Sequence, residues 1–261
     1  MKMSRITETF KKLKGEGRKA FIPYIMAGDP TLKRTKELVG LLEKCGADII
    51  ELGVPFSDPL ADGPTIQRAA ERSLKKKTNL ARVIETVKSI RRKSSIPLVL
   101  MTYFNPVYKY GAMRFVEDAA AAGIDGIIVP DLPPEEERDF IKALQAAGID
   151  TIFLLAPTST EDRIRLICSR ARGFIYYVSI TGITGAKIVI DEAMRIMIER
   201  IRGLSDNPVA VGFGIKTPAE AREAAAASDG VIVGSAIVRM CGEGASDEEI
   251  EKYVRSLRKV V

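Results

Sequence analysis

Residues 122–155 read AGIDGIIVPDLPPEEERDFIKALQAAGIDTIFLL. A short apolar run at 126–130 is followed by a polar turn. Phe140, Ile141, Leu144 and Ala147 then recur at helical spacing, Gly148 closes the segment, and a second apolar run starts at 151. The joint Ala-Gly-Ile-Asp precedes both runs, as Ala122-Gly123-Ile124-Asp125 and Ala147-Gly148-Ile149-Asp150. Cys45-Gly46-Ala47-Asp48 is a third copy. Each sets a glycine cap at a helix end and an aspartate just before a strand. Three copies of one helix–turn–strand joint predict a repeated βα unit.

Working outward, the same alternation runs the length of the chain. Strands are expected at 20–26, 48–53, 97–103, 126–130, 151–155, 174–179, 208–212 and 230–234. They are continuously apolar rather than alternating, as strands of a parallel sheet covered on both faces are. Asp29-Pro30 reads as the opening of one helix, whose stripe is Leu38, Val39, Leu42 and Cys45. Thr217-Pro218-Ala219-Glu220 reads as a capping box with proline at the first helical position. Eight strands, seven intervening helical segments and a closing helix near 246–259 predict an α/β fold, a single (β/α)8 TIM barrel. The chain's 261 residues suit it, since such barrels typically need roughly 250. An open doubly wound sheet is the rival, weakened because no GxGxxG follows the first strand. No linker-like tract divides residues 1–261, so one domain is expected. Residues 4–14 read as an extra N-terminal helix covering the barrel floor.

Composition sets the outer limits. With 46% hydrophobic and 28% charged residues the chain is of ordinary globular type. No apolar run approaches the ~20 residues of a membrane helix, and the N-terminus lacks a signal core, so a cytoplasmic location is expected. Cys45, Cys168 and Cys241 form no CxxC pair, which argues against a disulfide framework or a zinc site. The net charge of +6 includes Lys75-Lys76-Lys77 and Arg91-Arg92-Lys93. Without interleaved aromatics these read as solvated helix faces rather than a nucleic-acid surface. The chain has no histidine at all. That removes histidine-based triads, dyads, general bases and metal sites, and leaves proton transfer to Asp, Glu, Lys, Tyr or Cys.

Active sites of such barrels form at the carboxyl ends of the strands. Glu51 stands out there, inside the apolar run Ile49-Ile50-Glu51-Leu52. Burial would raise its pKa toward neutrality, as an acid/base working in both directions requires; a buried structural salt bridge is the alternative reading. The long loop 53–63 follows, with Asp58 and Asp62, each readable either as functional or as a turn residue. Gly212-Phe213-Gly214 ends strand seven, and Gly234-Ser235 ends strand eight where a helix could begin. Together they suggest a phosphate cradle of backbone N–H groups. Gly182-Ile183-Thr184-Gly185 reads as a lid or an ordinary loop. No strand core holds a lysine for a Schiff base, and a metal aldolase would lack its histidines. Carbon–carbon cleavage would then need a substrate carrying its own electron sink.

These stretches closely resemble the tryptophan synthase alpha subunit family over essentially the whole chain. The resemblance is carried by ELGVPFSDPLADGPTIQ (51–67), FIPYIMAGDP (21–30), VPDLP (129–133), TGITG (181–185), GFGI (212–215) and VGSAIV (233–238). It implies cleavage of indole-3-glycerol phosphate to indole and glyceraldehyde 3-phosphate. It implies Glu51 as the acid/base, Asp62 as acceptor for the indole N–H, and Tyr176 beside them. It implies phosphate binding by Gly185, Phe213, Gly214, Gly234 and Ser235, with Thr184 as the lid threonine that meets the aspartate. No cofactor is expected in this chain. The expected partner is a beta subunit carrying pyridoxal phosphate, in an alpha2-beta2 heterotetramer, touching residues 55–59, Asn105, Pro106 and 131–133. Ser179-Ile180-Thr181 before the lid departs from the arginine-containing version, and Tyr24 and Phe174 exchange phenylalanine and tyrosine relative to many relatives. Other phosphate-binding barrels, such as phosphoribosyl isomerases or indole-glycerol phosphate synthase, lack the 51–64 loop. A regulatory subunit with negligible catalysis of its own is the reading from another class.

Overall fold

The computed structural model describes residues 3–178, 192–212 and 214–261. Its strands are β1 (Ala20–Met26), β2 (Ile50–Gly53), β3 (Leu98–Met101), β4 (Gly126–Ile128), β5 (Asp150–Ile152), β6 (Leu154–Leu155), β7 (Ile175–Val178), β8 (Val209–Gly212) and β9 (Gly230–Val233). All pairings are parallel, in the order β5-β4-β3-β2-β1-β9-β8-β7-β6. The fifth expected strand is cut in two at Phe153. β5 pairs with β4 and β6 pairs with β7, so residues 150–155 join the two ends of the sheet. The Phe153 carbonyl still accepts the Tyr176 N–H at 3.0 Å. The chain is a (β/α)8 barrel.

Register sorts the continuous apolar strands into two faces. Ile22, Tyr24, Val99, Ile128, Ile152, Tyr176, Ala210 and Ile232 pack together inside the barrel. Phe21, Ile25, Leu52, Leu98, Ile127, Ile175, Val211 and Val231 pack outward against the helices. The interior is thus a filled core whose upper end carries the polar groups.

The helix Arg5–Gly15 supplies Ile6, Phe10 and Leu13 to that interior core. Its Phe10 ring lies 5.8 Å from Phe174, and a side chain at Gly126 would run into Ile6. The helix covers the floor, as its amphipathic sequence predicts. The repeated joints also act there. Gly46, Gly123 and Gly148 all have positive φ (94°, 83° and 79°), the conformation that glycine adopts without steric cost. The following Asp48 and Asp125 accept N–H groups at the starts of the neighbouring strands, from Phe21 and Leu98. Asp150 instead receives the hydroxyl of Ser4, tying the N-terminal helix down.

Two expectations are corrected. Asp29 does not cap a helix: the helix Leu32–Lys44 is capped by Thr31, whose side chain accepts the Arg34 N–H. Asp29 is buried and forms a two-pronged pair with Arg72 at 2.8 and 2.7 Å, which removes its carboxylate from the helix start. Arg91 does not belong to a solvated face. Its guanidinium donates to the Gly123 and Ile96 carbonyls and pairs with buried Asp125, while its neighbour Arg92 remains exposed. The connections β2–β3 and β3–β4 each carry two helices rather than one. Strands β2, β3 and β4 are shorter than expected at their ends.

Candidate active site

Strand β2 delivers Glu51 beside Tyr24 of β1, its register partner, and Val99 of β3. Because Tyr24 and Val99 face the interior, so does Glu51. It is 1% exposed, and neither carboxylate oxygen has a hydrogen-bond partner among the described residues. No described cation pairs with it, so the salt-bridge reading fails among the described residues. An unpaired carboxylate shielded from water strongly favours its neutral form. Burial, with the nearby Asp62 charge as a smaller cause, pushes the Glu51 pKa up to about 8. At neutral pH it is a carboxylic acid with a proton to give.

Asp62 comes from the loop after β2. Asp58 and Asp62, equivalent by spacing, are separated by the structure. Asp58 is exposed and accepts the neighbouring Ser57 hydroxyl at 2.6 Å. Asp62 is half-buried close to Glu51, and burial raises its pKa to about 6, with the neighbouring Tyr103 phenol opposing the shift. Asp62 is therefore mostly ionised at pH 7. Two carboxyl groups with separated pKa values, one protonated and one ionised at the same pH, are the arrangement from which an acid and an acceptor can be drawn.

Phenols surround the pair. Tyr24, Tyr103 and Tyr176 are buried. Burial first, and then the Glu51 and Asp62 charges, hold Tyr24 and Tyr176 far above the ordinary phenol range. They stay neutral. Glycines make room for them. A Cβ on Gly53 would lie 1.9 Å from the Tyr24 hydroxyl, and one on Gly212 would lie 2.4 Å from that of Tyr176. Any side chain at either position would evict a phenol from the cavity. Tyr24 and Tyr103 were not recognisable as site residues from sequence. Tyr24 sits in an apolar strand, and only the register with Glu51 reveals which way it faces.

Of the residues expected to form an anion cradle, Gly214, Gly234 and Ser235 are described. Gly234 ends β9 and is the N-cap of the helix Ser235–Gly242. It lies against Tyr24, which an added Cβ would approach to 3.3 Å. The free N–H groups of that helix start and its dipole suit an anion. Gly214 has φ 85°, just past the end of β8. Thr184, Gly185 and Phe213 lie outside the described residues. Among the described residues no cluster of three Cys, Asp or Glu side chains could hold a metal, and the three cysteines are free and separate. No described helix is long and apolar enough to cross a membrane.

Taken together, a parallel (β/α)8 barrel with a buried, unpartnered glutamic acid and a second carboxyl group near it has the features of a barrel enzyme suited to acid–base chemistry. Comparison with known proteins makes this specific. The family model for the tryptophan synthase alpha chain matches residues 10–260. The tryptophan synthase alpha chain of Geobacter sulfurreducens is 48% identical, covering 99% of each chain. That of Geotalea uraniireducens is 50% identical over 96% of this chain and 94% of its own length. Among solved structures, tryptophan synthase subunit alpha from Legionella pneumophila superposes with a TM-score of 0.90 at 38% identity, covering 99% of this chain and 98% of the other. A chain of Mycobacterium tuberculosis tryptophan synthase gives 0.92 at 37% identity, with 100% and 99% covered. The chain belongs to the tryptophan synthase alpha chain family. It is a lyase that cleaves indole-3-glycerol phosphate to indole and glyceraldehyde 3-phosphate, and the family implies a beta-subunit partner.

Proposed function

We propose that Glu51 is the single group that both gives and takes the proton in this cleavage. The carrying observation is its buried, unpartnered carboxyl on the interior face of β2. As a neutral acid it protonates the indole ring at C3. The ring becomes an iminium-like electron sink, and the bond from C3 to the glycerol carbon breaks with its electron pair returning to the ring. Glu51, now a carboxylate in a dry site, takes the proton of the adjacent glycerol hydroxyl as that carbon becomes the aldehyde. The group is restored in one cycle. Asp62 accepts the indole N–H, offsetting the positive charge that develops on nitrogen. Tyr176 packs beside the pair and excludes water. Gly214, Gly234 and Ser235 hold the phosphate, together with Gly185 and Phe213, and Thr184 meets Asp62 when the lid closes.

The cleavage assay has a defined pH signature. Asp62 must be ionised, so kcat/KM falls as pH drops through about 6. Glu51 must be protonated, so it falls again as pH rises through about 8. Indole release by the purified chain should therefore follow a bell between these values. A rate still climbing at pH 9 would remove Glu51 as the acid.

For the whole enzyme we propose an alpha2-beta2 heterotetramer in the cytoplasm, with pyridoxal phosphate in the beta subunit and this chain acting as one domain without a cofactor. Residues 55–59, Asn105, Pro106 and 131–133 form the docking rim. These segments are bonded to one another: Phe56 packs 5.3 Å from Tyr103, and Asp131 accepts the Phe104 N–H at 2.9 Å. Leu60 and Tyr108, on the same loop and helix, are 96% and 70% exposed. Large apolar side chains so exposed on one rim suit a protein partner.

A further inference from the structure

Tyr24 lies across the cavity between the two ends of the site. Its Cβ lies against Gly234, where an added Cβ would come within 3.3 Å of it, and its hydroxyl sits over Gly53, where an added Cβ would fall 1.9 Å from the oxygen. Gly53 follows Glu51 by two residues on β2, so both face the interior. The phenol oxygen therefore stands one step beyond the Glu51 carboxyl, toward the mouth of the barrel. The missing side chain at Gly53 makes room for the hydroxyl itself. That hydroxyl has no hydrogen bond among the described residues, and the buried side-chain oxygens without a partner there are the two of Glu51. The Tyr24 oxygen is thus open to the cavity, although the residue as a whole is 6% exposed. A phenol gives one hydrogen bond and accepts others, and an interior one without a protein partner is held at a cost unless a bound molecule takes its bond.

The geometry points to Tyr24 as the specificity-determining residue for the glycerol chain: its hydroxyl bonds to the hydroxyl on the middle carbon of indole-3-glycerol phosphate. This rests on the reading above, in which the phosphate sits at Gly234 and the carbon next to the ring sits at Glu51. With those ends fixed, the chain between them runs along the Tyr24 ring. The ring-side hydroxyl gives its proton to Glu51, and the phosphate takes the N–H groups at the helix start. The middle hydroxyl is the one polar group of the chain still to be matched. Tyr24 selects for it without moving a proton, because burial, and then the charges of Asp62 and Glu51, keep the phenol neutral. A site built to hydrogen-bond a substrate hydroxyl disfavours the analogue that lacks it.

The test compares wild type and Tyr24→Phe, in the full chain, on three ligands. Indole-3-glycerol phosphate is followed by cleavage. Two competitive inhibitors are titrated against it: 3-(indol-3-yl)propyl phosphate, which has no chain hydroxyl, and its analogue hydroxylated on the middle carbon only. Tyr24→Phe removes a single atom, and its melting temperature reports the fold. It should weaken the hydroxylated inhibitor and lower kcat/KM by about five-fold each, the worth of a bond between neutral groups. The hydroxyl-free phosphate should bind as before, and both limbs of the pH profile should stay in place. Equal weakening of the two inhibitors would make Tyr24 a packing residue and overturn the proposal. If Gly234→Asp weakens both inhibitors while Tyr24→Phe binds them like the wild type, the phosphate reading stands and the Tyr24 proposal alone is wrong. If Gly234→Asp binds both like the wild type, the phosphate lies elsewhere, and the proposal falls with the reading beneath it.

Discussion

Glu51→Gln is expected to abolish turnover while making the protein more stable. Glutamine keeps the size and, at pH 7, the neutrality of the protonated side chain. Substrate affinity and fold should be nearly unchanged. What disappears is the proton, and with it both halves of the cycle. General acid–base groups contribute about 10² to 10⁴ in rate, and one group serving both steps should cost about a thousand-fold in kcat. Stability moves the other way. The folded pKa of Glu51, about 8, lies above its ordinary value of 4.5. Below 4.5 both the folded and the unfolded chain hold this proton and nothing is lost; above it folding must take a proton from solution, and stability falls progressively until pH reaches about 8. The wild type alone suffers this loss. The stability advantage of Glu51→Gln should therefore grow from pH 4.5 to 8 and then level off, reaching on the order of 5 kcal/mol. Near wild-type turnover would remove Glu51 from the mechanism; an advantage independent of pH would mean that its pKa is ordinary.

Gly234→Asp should weaken phosphorylated ligands by about a hundred-fold, on the order of 3 kcal/mol from a like charge placed within a few ångströms at an intermediate dielectric. The glycine is the N-cap of the helix that follows β9, and a carboxylate there would occupy the place of the phosphate. It would also press on Tyr24, since even a Cβ comes within 3.3 Å of that side chain. Gly234→Ala separates the two effects: it brings the crowding without the charge and should cost far less. Titration with glycerol 3-phosphate reads both. Equal affinity in wild type and Gly234→Asp would move the phosphate elsewhere.

Much of this was legible in the sequence because single residues broke local rules. Glu51 is a charge in a strand of Ile and Leu, and that contradiction alone marks it. The three Gly-x-Asp joints announced the repeat, and the structure gives them a mechanical sense, since Asp48 and Asp125 clip neighbouring strands together. What sequence could not yield depends on register or on distant partners. Tyr24 reads as one more strand residue until its pairing with Glu51 fixes its direction. Tyr103 meets Ala61, 42 residues away, and no local pattern reports such a contact. Asp29 carries a capping residue's chemistry, yet Arg72 claims its carboxylate, and Arg91 is drawn from a basic run into a buried pair with Asp125. In each case a long-range ion pair overrides a local preference.

The most direct test of the account is the protonation state of one side chain. Infrared difference spectroscopy of the ligand-free protein between pH 6 and 10 should show a protonated carboxyl band that disappears through about pH 8 and is missing from Glu51→Gln. A Glu51 already ionised at pH 6 would contradict it, because a group with no proton at rest cannot begin the reaction by giving one away.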